Sequence, residues 1–165
     1  MILVTLGTQD KKFYRLIKEI DKLVTEKKIE DEVIVQAGSS ATFKTESIKL
    51  LDLIPMKEFD DLLDKCDLLI THGGVGTILS GLKKNKKIIA VPRLKKYKEH
   101  VNDHQVQIVN NFTDEGYILK VDNISTLFDV IKYSKVFKPK KYKNNNKKFV
   151  NDLSKEIDKY LEDLK

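Results

Sequence analysis

The stretch LLITHGGVGTILSGLKK, residues 68–84, decides the fold. Its first four residues, Leu68–Thr71, are apolar or β-branched with no polar alternation, which is the pattern of a strand covered on both faces. His72, Gly73, Gly74, Val75 and Gly76 then break the strand, with three glycines in four positions. From Thr77 to Lys84 the apolar residues Ile78, Leu79 and Leu82 return at helical spacing. A strand that turns through glycine into a helix is the repeating unit of a parallel sheet.

The same alternation extends outward on both sides. Toward the N-terminus, residues 2–6 form a short apolar run closed by Gly7, and Phe13, Leu16, Ile17, Ile20, Leu23 and Val24 recur at helical spacing. Residues 33–37 predict a second strand closed by Gly38, and residues 48–54 a third closed by Pro55. Phe59, Leu62 and Leu63 mark one face of a short helix that carries Cys66. Toward the C-terminus, residues 87–91 predict a fifth strand stopped by Pro92. A helix over 101–111, a strand over 117–121 and a helix over 124–131 follow. The fold class is therefore α/β, a doubly wound, Rossmann-like parallel sheet, with residues 1–131 as its domain. Residues 132–148 hold eight lysines, Pro139 and three consecutive asparagines with no acid, and read as a linker or long loop. Phe149, Leu153, Ile157, Tyr160, Leu161 and Leu164 then predict a final amphipathic helix over 149–165.

Composition limits the function classes. A length of 165 residues fits one domain of about 100–200 residues. No stretch approaches the ~20 apolar residues that span a bilayer, and the chain opens on a strand rather than a leader. The single cysteine rules out an internal disulfide framework, so the expected compartment is the cytoplasm. The net charge of +6 comes from 31 basic and 25 acidic residues, yet only Arg15 and Arg93 are arginines. Nucleic-acid readers lean on arginine forks, so nucleic acid is not the expected partner.

In open α/β sheets, ligands bind outside the carboxyl ends of the strands. Three corners there carry the chemistry. The first is Gly7-Thr8-Gln9, a tight turn with a hydroxyl. The second is Thr71 to Thr77, where glycines and a helix N-terminus aim N–H groups and a partial positive charge at one spot, suiting a phosphate or diphosphate. It lacks the Gly-Lys-Ser/Thr of a Walker loop and is not the dinucleotide fingerprint. The competing reading is that these glycines serve tight packing alone. The third corner runs from Pro92 through Glu99, His100, Asn102, Asp103, His104 and Gln105. All three histidines lie in these last two segments. His100 and His104 stand four apart, as zinc ligands on a helix do, but the glutamate base of H-E-x-x-H is missing. The alternatives are a helix N-cap at Asn102 or Asp103 and hydrogen bonding to a polar ligand.

Together these segments resemble the nucleotide-sugar-binding half of GT-B glycosyltransferases, the family 28 C-terminal domain. The similarity rests on residues 2–9, on the His72–Thr77 corner, on Pro92 and on the Asn102-Asp103-His104-Gln105 run, in the family's order, and spans roughly residues 1–131. It is strongest to the soluble subunits of two-component transferases that build dolichol-linked, capsule or exopolysaccharide glycans. The resemblance implies a UDP-sugar donor, inversion at the anomeric carbon, no metal and no cofactor. It places Gly7, Thr8, Gly73, Gly74, Gly76 and Thr77 around the diphosphate. It makes His72 a phosphate or leaving-group contact and gives the donor sugar to Asn102, His104 and Gln105. Fused relatives often carry an acid where this chain has Ser80, so ribose recognition falls to Ser80 or Glu99. The implied partners are a membrane-anchored acceptor-binding subunit and a lipid-linked saccharide, with the chain held at the inner membrane face through that partner. The competing function is a nucleotide-sugar-binding regulatory module without turnover. On this reading Gly74→Val would block a ligand while sparing the fold if the turn tolerates a Cβ, and the lysines of 132–148 would favour an anionic membrane or an acidic partner.

Overall fold

The computed structural model describes residues 1–142. Six strands form one all-parallel sheet in the order β3-β2-β1-β4-β5-β6. They are β1 (Ile2–Thr5), β2 (Val33–Gln36), β3 (Lys49–Leu51), β4 (Leu68–Thr71), β5 (Lys87–Ala90) and β6 (Leu119–Lys120). The helices between them are α1 (Tyr14–Thr25), α2 (Met56–Lys65), α3 (Val75–Lys83), α4 (His104–Asp114) and α5 (Leu127–Ser134). The order reverses direction between β1 and β4, so the crossovers part there and leave a crevice above the ends of those two strands.

The unbroken apolar strands are explained by burial on both faces. In β1, Ile2 and Val4 enter the core beneath α1 and α5, while Leu3 enters the one beneath α2, α3 and α4. Ile34, Leu69 and Ile88 alternate in the same way with their neighbours. Full burial of each such side chain contributes about 1.5–3 kcal/mol, and a one-residue register slip would exchange the two cores. Leu16, Ile17, Ile20 and Leu23 are the buried stripe of α1. Where β1 and β4 end in register, Thr5 donates its hydroxyl to Thr71 Oγ1 at 2.9 Å, a buried polar pair at the switch point.

Several boundaries differ from the sequence expectation. The third strand spans only Lys49–Leu51, because Asp52 and Leu53 already turn outward beside Pro55. Helix α3 begins at Val75 rather than Thr77, so Gly76 lies inside its first turn. Helix α4 begins at His104 and leaves His100 in the preceding loop. Cys66 caps α2 instead of lying within it, and α5 runs to Ser134, past the expected domain edge at 131. Lys140 N–H donates to the Gly116 carbonyl at 2.9 Å, so the chain beyond α5 returns to the domain. The remainder of the expected linker (143–148) and the expected helix over 149–165 lie outside the described residues. No helix among the described residues is long and apolar enough to cross a membrane.

Candidate functional site

Gly7, Thr8, Gly76, Thr77 and Ser80 line one cavity of about 310 Å³ above the carboxyl ends of β1 and β2. The sheet topology brings Gly7-Thr8 against the first turn of α3, two segments almost 70 residues apart. Gln36, Leu53, Ile54, Met56 and Phe59 complete the walls. One side is thus polar and glycine-rich beside a helix N-terminus, and the other is apolar. A larger cleft of about 560 Å³ lies at the opposite end of the sheet, among Ile2, Cys66, Lys86 and Lys87. There α2 and α3 present their negative C-terminal ends, and Lys86 and Lys87 donate to main-chain carbonyls of Asp64, Cys66, Ser134 and Lys135.

The three corner glycines do different work. A Cβ on Gly73 would meet Val109 Cγ2 at 2.9 Å and Gln105 Cβ at 3.3 Å, so this glycine lets α4 pack closely. A Cβ on Gly74 would run into the His72 imidazole, and one on Gly7 would sit 2.5 Å from His72 Nε2. The condition on which Gly74→Val would spare the fold, a turn that tolerates a Cβ, is therefore not met: the valine would displace a buried ring. Of the three corner glycines, only at Gly76 does a Cβ meet nothing within 4 Å.

His72 is held between Gly7 and Gly74, behind the cavity rather than on its wall. Its Nδ1–H donates to the Thr5 carbonyl at 3.3 Å, which leaves a lone pair on Nε2. Burial first, and then the Arg93 charge, pull its pKa down to about 4, so the ring is neutral at physiological pH. A ring harder to protonate in the fold than in the unfolded chain stabilises the fold above about pH 6.5 and loses that contribution as pH falls toward 4. The expected loss is about 3 kcal/mol across that window, read as a falling urea midpoint. His100, lowered mainly by burial, acts in the same sense. His72→Asn, which does not titrate, is expected to flatten most of the slope; an unchanged slope would remove His72 as its source.

The third corner is built on the two arginines. Arg93 is fully buried. Its Nη1 donates to the carbonyls of Lys11 (2.6 Å) and Glu99 (3.2 Å), its Nη2 to that of Leu6 (2.7 Å), and its guanidinium lies over the Phe13 ring. Burial pulls its pKa down to about 10, against the opposing pull of Glu99, and it stays charged at neutral pH. Arg15 forks onto both Glu99 carboxylate oxygens, at 3.0 and 2.9 Å, and also reaches the Pro92 carbonyl. Glu99 Oε2 additionally accepts from the Leu94 N–H. A ribose role for Glu99 is corrected on that ground: the carboxylate is buried and committed to loop structure. Ser80 keeps its place on the cavity wall.

Asn102, His104 and Gln105 are not on the cavity wall, and Gln105 packs against Gly73 of the glycine corner. Gln105 Oε1 accepts from the Arg93 N–H at 3.0 Å, which ties α4 to the end of β5. Asn102 Oδ1 accepts from the His104 N–H at 3.2 Å, so Asn102 rather than Asp103 supplies the turn that starts the helix. Asp103 instead accepts from the Lys95 N–H. His100 meets the Gln9 amide at 2.9 Å, and because it precedes α4 the i, i+4 helical pair required for zinc does not form. Among the described residues, no group of three His, Cys, Asp or Glu could hold a metal ion. Sequence reading missed Gln36, the Leu53–Phe59 wall and the framework role of Arg93. A signal existed for two of them: a polar residue closing an apolar strand, and an arginine kept in a lysine-dominated chain.

A six-stranded parallel sheet with a glycine-lined crevice at its switch point defines a doubly wound, Rossmann-like α/β domain. Residues 1–158 match the Glycosyltransferase family 28 C-terminal domain. The chain belongs to that family. It is 33% identical over 106 residues to the UDP-N-acetylglucosamine–N-acetylmuramyl-(pentapeptide) pyrophosphoryl-undecaprenol N-acetylglucosamine transferase of Prochlorococcus marinus, covering 63% of this chain and 28% of that protein. It is 30% identical over 126 residues to the human UDP-N-acetylglucosamine transferase subunit ALG13, covering 71% of this chain and 10% of the relative. The chain thus spans well under half the length of these relatives. Among solved structures, ALG13 in solution superposes with a TM-score of 0.56 at 19% identity over 84% of this chain and 87% of that one. MurG of Acinetobacter baumannii superposes at 0.55 with 14% identity, over 81% and 42%. At such identities these superpositions speak for the fold alone.

Proposed function

We propose that this chain is the UDP-sugar-binding, catalytic module of an inverting hexosyltransferase that acts with a membrane-anchored partner on a lipid-linked saccharide. One observation carries the reading: Gly7-Thr8 and Gly76-Thr77 line one cavity whose other wall is apolar. A uracil ring suits the wall of Leu53, Ile54, Met56 and Phe59, with the buried Gln36 amide as a polar reader. The diphosphate then lies at the start of α3, where unpaired N–H groups and the helix dipole stabilise charge on the leaving UDP without a metal or cofactor. Ser80, one turn along α3 from Gly76, meets the ribose. Asn102 and His104 stand on the sugar side, and Gln105 contributes by holding the Arg93 loop. His72 lies behind the cavity wall, between Gly7 and Gly74, and would donate to a phosphate oxygen only with Nε2 protonated, which an entering dianion favours. The acceptor site and the general base fall to the partner. The names of the relatives, UDP-N-acetylglucosamine transferases and in one case a transferase subunit, support UDP-N-acetylglucosamine as the donor and a heteromeric assembly; on this reading the work lies in glycan or capsule-type polysaccharide biosynthesis at the cytoplasmic membrane face.

Calorimetry with UDP in EDTA tests the reading, and Gly76→Ala sharpens it. Gly76 is exposed, lies inside α3 and has open space around its Cα. Alanine there is expected to stabilise the fold by about 0.5–1 kcal/mol through helix propensity. The same methyl should weaken UDP binding at least about tenfold by holding the diphosphate off the backbone. Binding that needs a divalent ion, or that ignores the methyl, overturns the amide cradle. Transfer from a UDP-sugar to a lipid-linked acceptor is expected only on co-expression with the partner.

A further inference from the structure

Two acid-free segments, KKFYRLIK at 11–18 and RLKKYK at 93–98, lie far apart in sequence. The fold joins them through the Arg93 bond to the Lys11 carbonyl and through Arg15, which grips Glu99 and lies 5.0 Å from the Tyr97 ring centroid. The result is a basic ledge on the α1 side of the sheet, around a cleft of about 550 Å³. Lys12, Lys18 and Lys98 line it with Tyr14 and Tyr97, and Lys96 lies over the Tyr97 ring. Among the described residues lining it, the one acid is Glu99, which is buried and paired with Arg15. Asp10, Glu19 and Asp103 lie nearby in sequence, and Asp103 is bonded to the Lys95 N–H. The ledge shares no lining residue with the nucleotide cavity.

Tyr97 stands out of this basic surface, 53% exposed, and Val101, four residues further along the chain, is 52% exposed. A protruding tyrosine set among lysines suits the headgroup level of a bilayer, where the aromatic ring enters and the ammonium groups meet lipid phosphates. The exposed cations are lysines, which act as point charges against a field of many phosphates; a single phosphoresidue would be matched better by an arginine fork. We infer that this ledge contacts an anionic phospholipid surface directly, through the chain itself rather than through a partner subunit.

Co-sedimentation of the full chain with vesicles tests this, comparing pure phosphatidylcholine with vesicles containing about 30% phosphatidylglycerol at low and physiological salt. Binding is expected to the anionic vesicles alone, weakening as salt rises. Lys12→Gln, Lys96→Gln and Lys98→Gln together should cut partitioning about 100-fold, since each lysine near the surface contributes about fivefold. The same number of changes at Lys132, Lys135 and Lys138 should cost no more than a few-fold. Tyr97→Trp, in a chain without tryptophan, should shift its emission to the blue on anionic vesicles. Equal losses in the two triple variants, equal binding to neutral vesicles, an unshifted tryptophan, or capture only when a partner protein is added would each overturn the inference. Unchanged melting and unchanged UDP calorimetry in the Lys12, Lys96 and Lys98 variant keep folding and the nucleotide reading separate from the lipid result.

Discussion

Arg93→Ala is expected to lower the unfolding free energy by about 3–5 kcal/mol, a large share of the roughly 5–15 kcal/mol that domains of this size possess. Three contributions act together. The carbonyls of Leu6, Lys11 and Glu99 lose their donors in a place water does not reach freely, and each unsatisfied group costs about 1–3 kcal/mol. The Phe13 ring loses the guanidinium over its face. A void then opens where the largest of the fully buried side chains stood. Arg93→Lys should recover little, because one ammonium cannot serve three carbonyls from a planar fork. Arg15→Ala should cost less on geometry, since Arg15 is part-exposed, but it strands the buried Glu99 carboxylate. Urea unfolding of the three variants checks the order. An Arg93→Ala protein within about 1 kcal/mol of the parent would show that the loops hold without it.

Gly7→Ala is the second large effect expected, at about 3–4 kcal/mol, and its origin can be divided by a double-mutant cycle. Gly7 has φ +79°, which costs an alanine about 1–2 kcal/mol. The new methyl would also press on the His72 ring, 2.5 Å from Nε2, and overpacking of that kind costs about 1–3 kcal/mol. Truncating His72 to alanine removes the second contribution and leaves the first. In the His72→Ala background, Gly7→Ala should therefore cost only the conformational part. Equal costs in both backgrounds would mean that the ring moves aside freely, and the imidazole would then not be fixed between Gly7 and Gly74. The same wedge explains why Gly74→Val is expected to unsettle the fold before it reaches any ligand.

Family membership came from motifs in their order, and the structure redistributed the roles within them. Gly7, Thr8, Gly76, Thr77 and Ser80 meet on one cavity. Gly73 belongs to the packing of α4, and Glu99 to the loop framework. Those two functions were invisible in the sequence because each depends on a partner far along the chain. Gly73 is defined by Val109, and Glu99 by Arg15, 84 residues away. The apolar wall from Leu53 to Phe59 was hidden for a different reason. A hydrophobic residue at the end of a strand has the same local pattern whether it faces a core or a ligand.

The sequence by itself determined the element order, the parallel sheet and the positions of its turns. These follow from apolar periodicity and from glycine and proline, which act on backbone neighbours and need no distant contact. Tertiary structure alone decided which corner residues face a cavity, which fill space and which anchor loops. It also gathered the two arginines into one framework and the two lysine-rich segments into one surface. Those outcomes depend on the sheet order, which places β1 beside β4 and the loop after β5 beside the start of α1. Residues separated by 60 to 90 positions thereby become neighbours, and the chemistry of each is set by the neighbour it acquires.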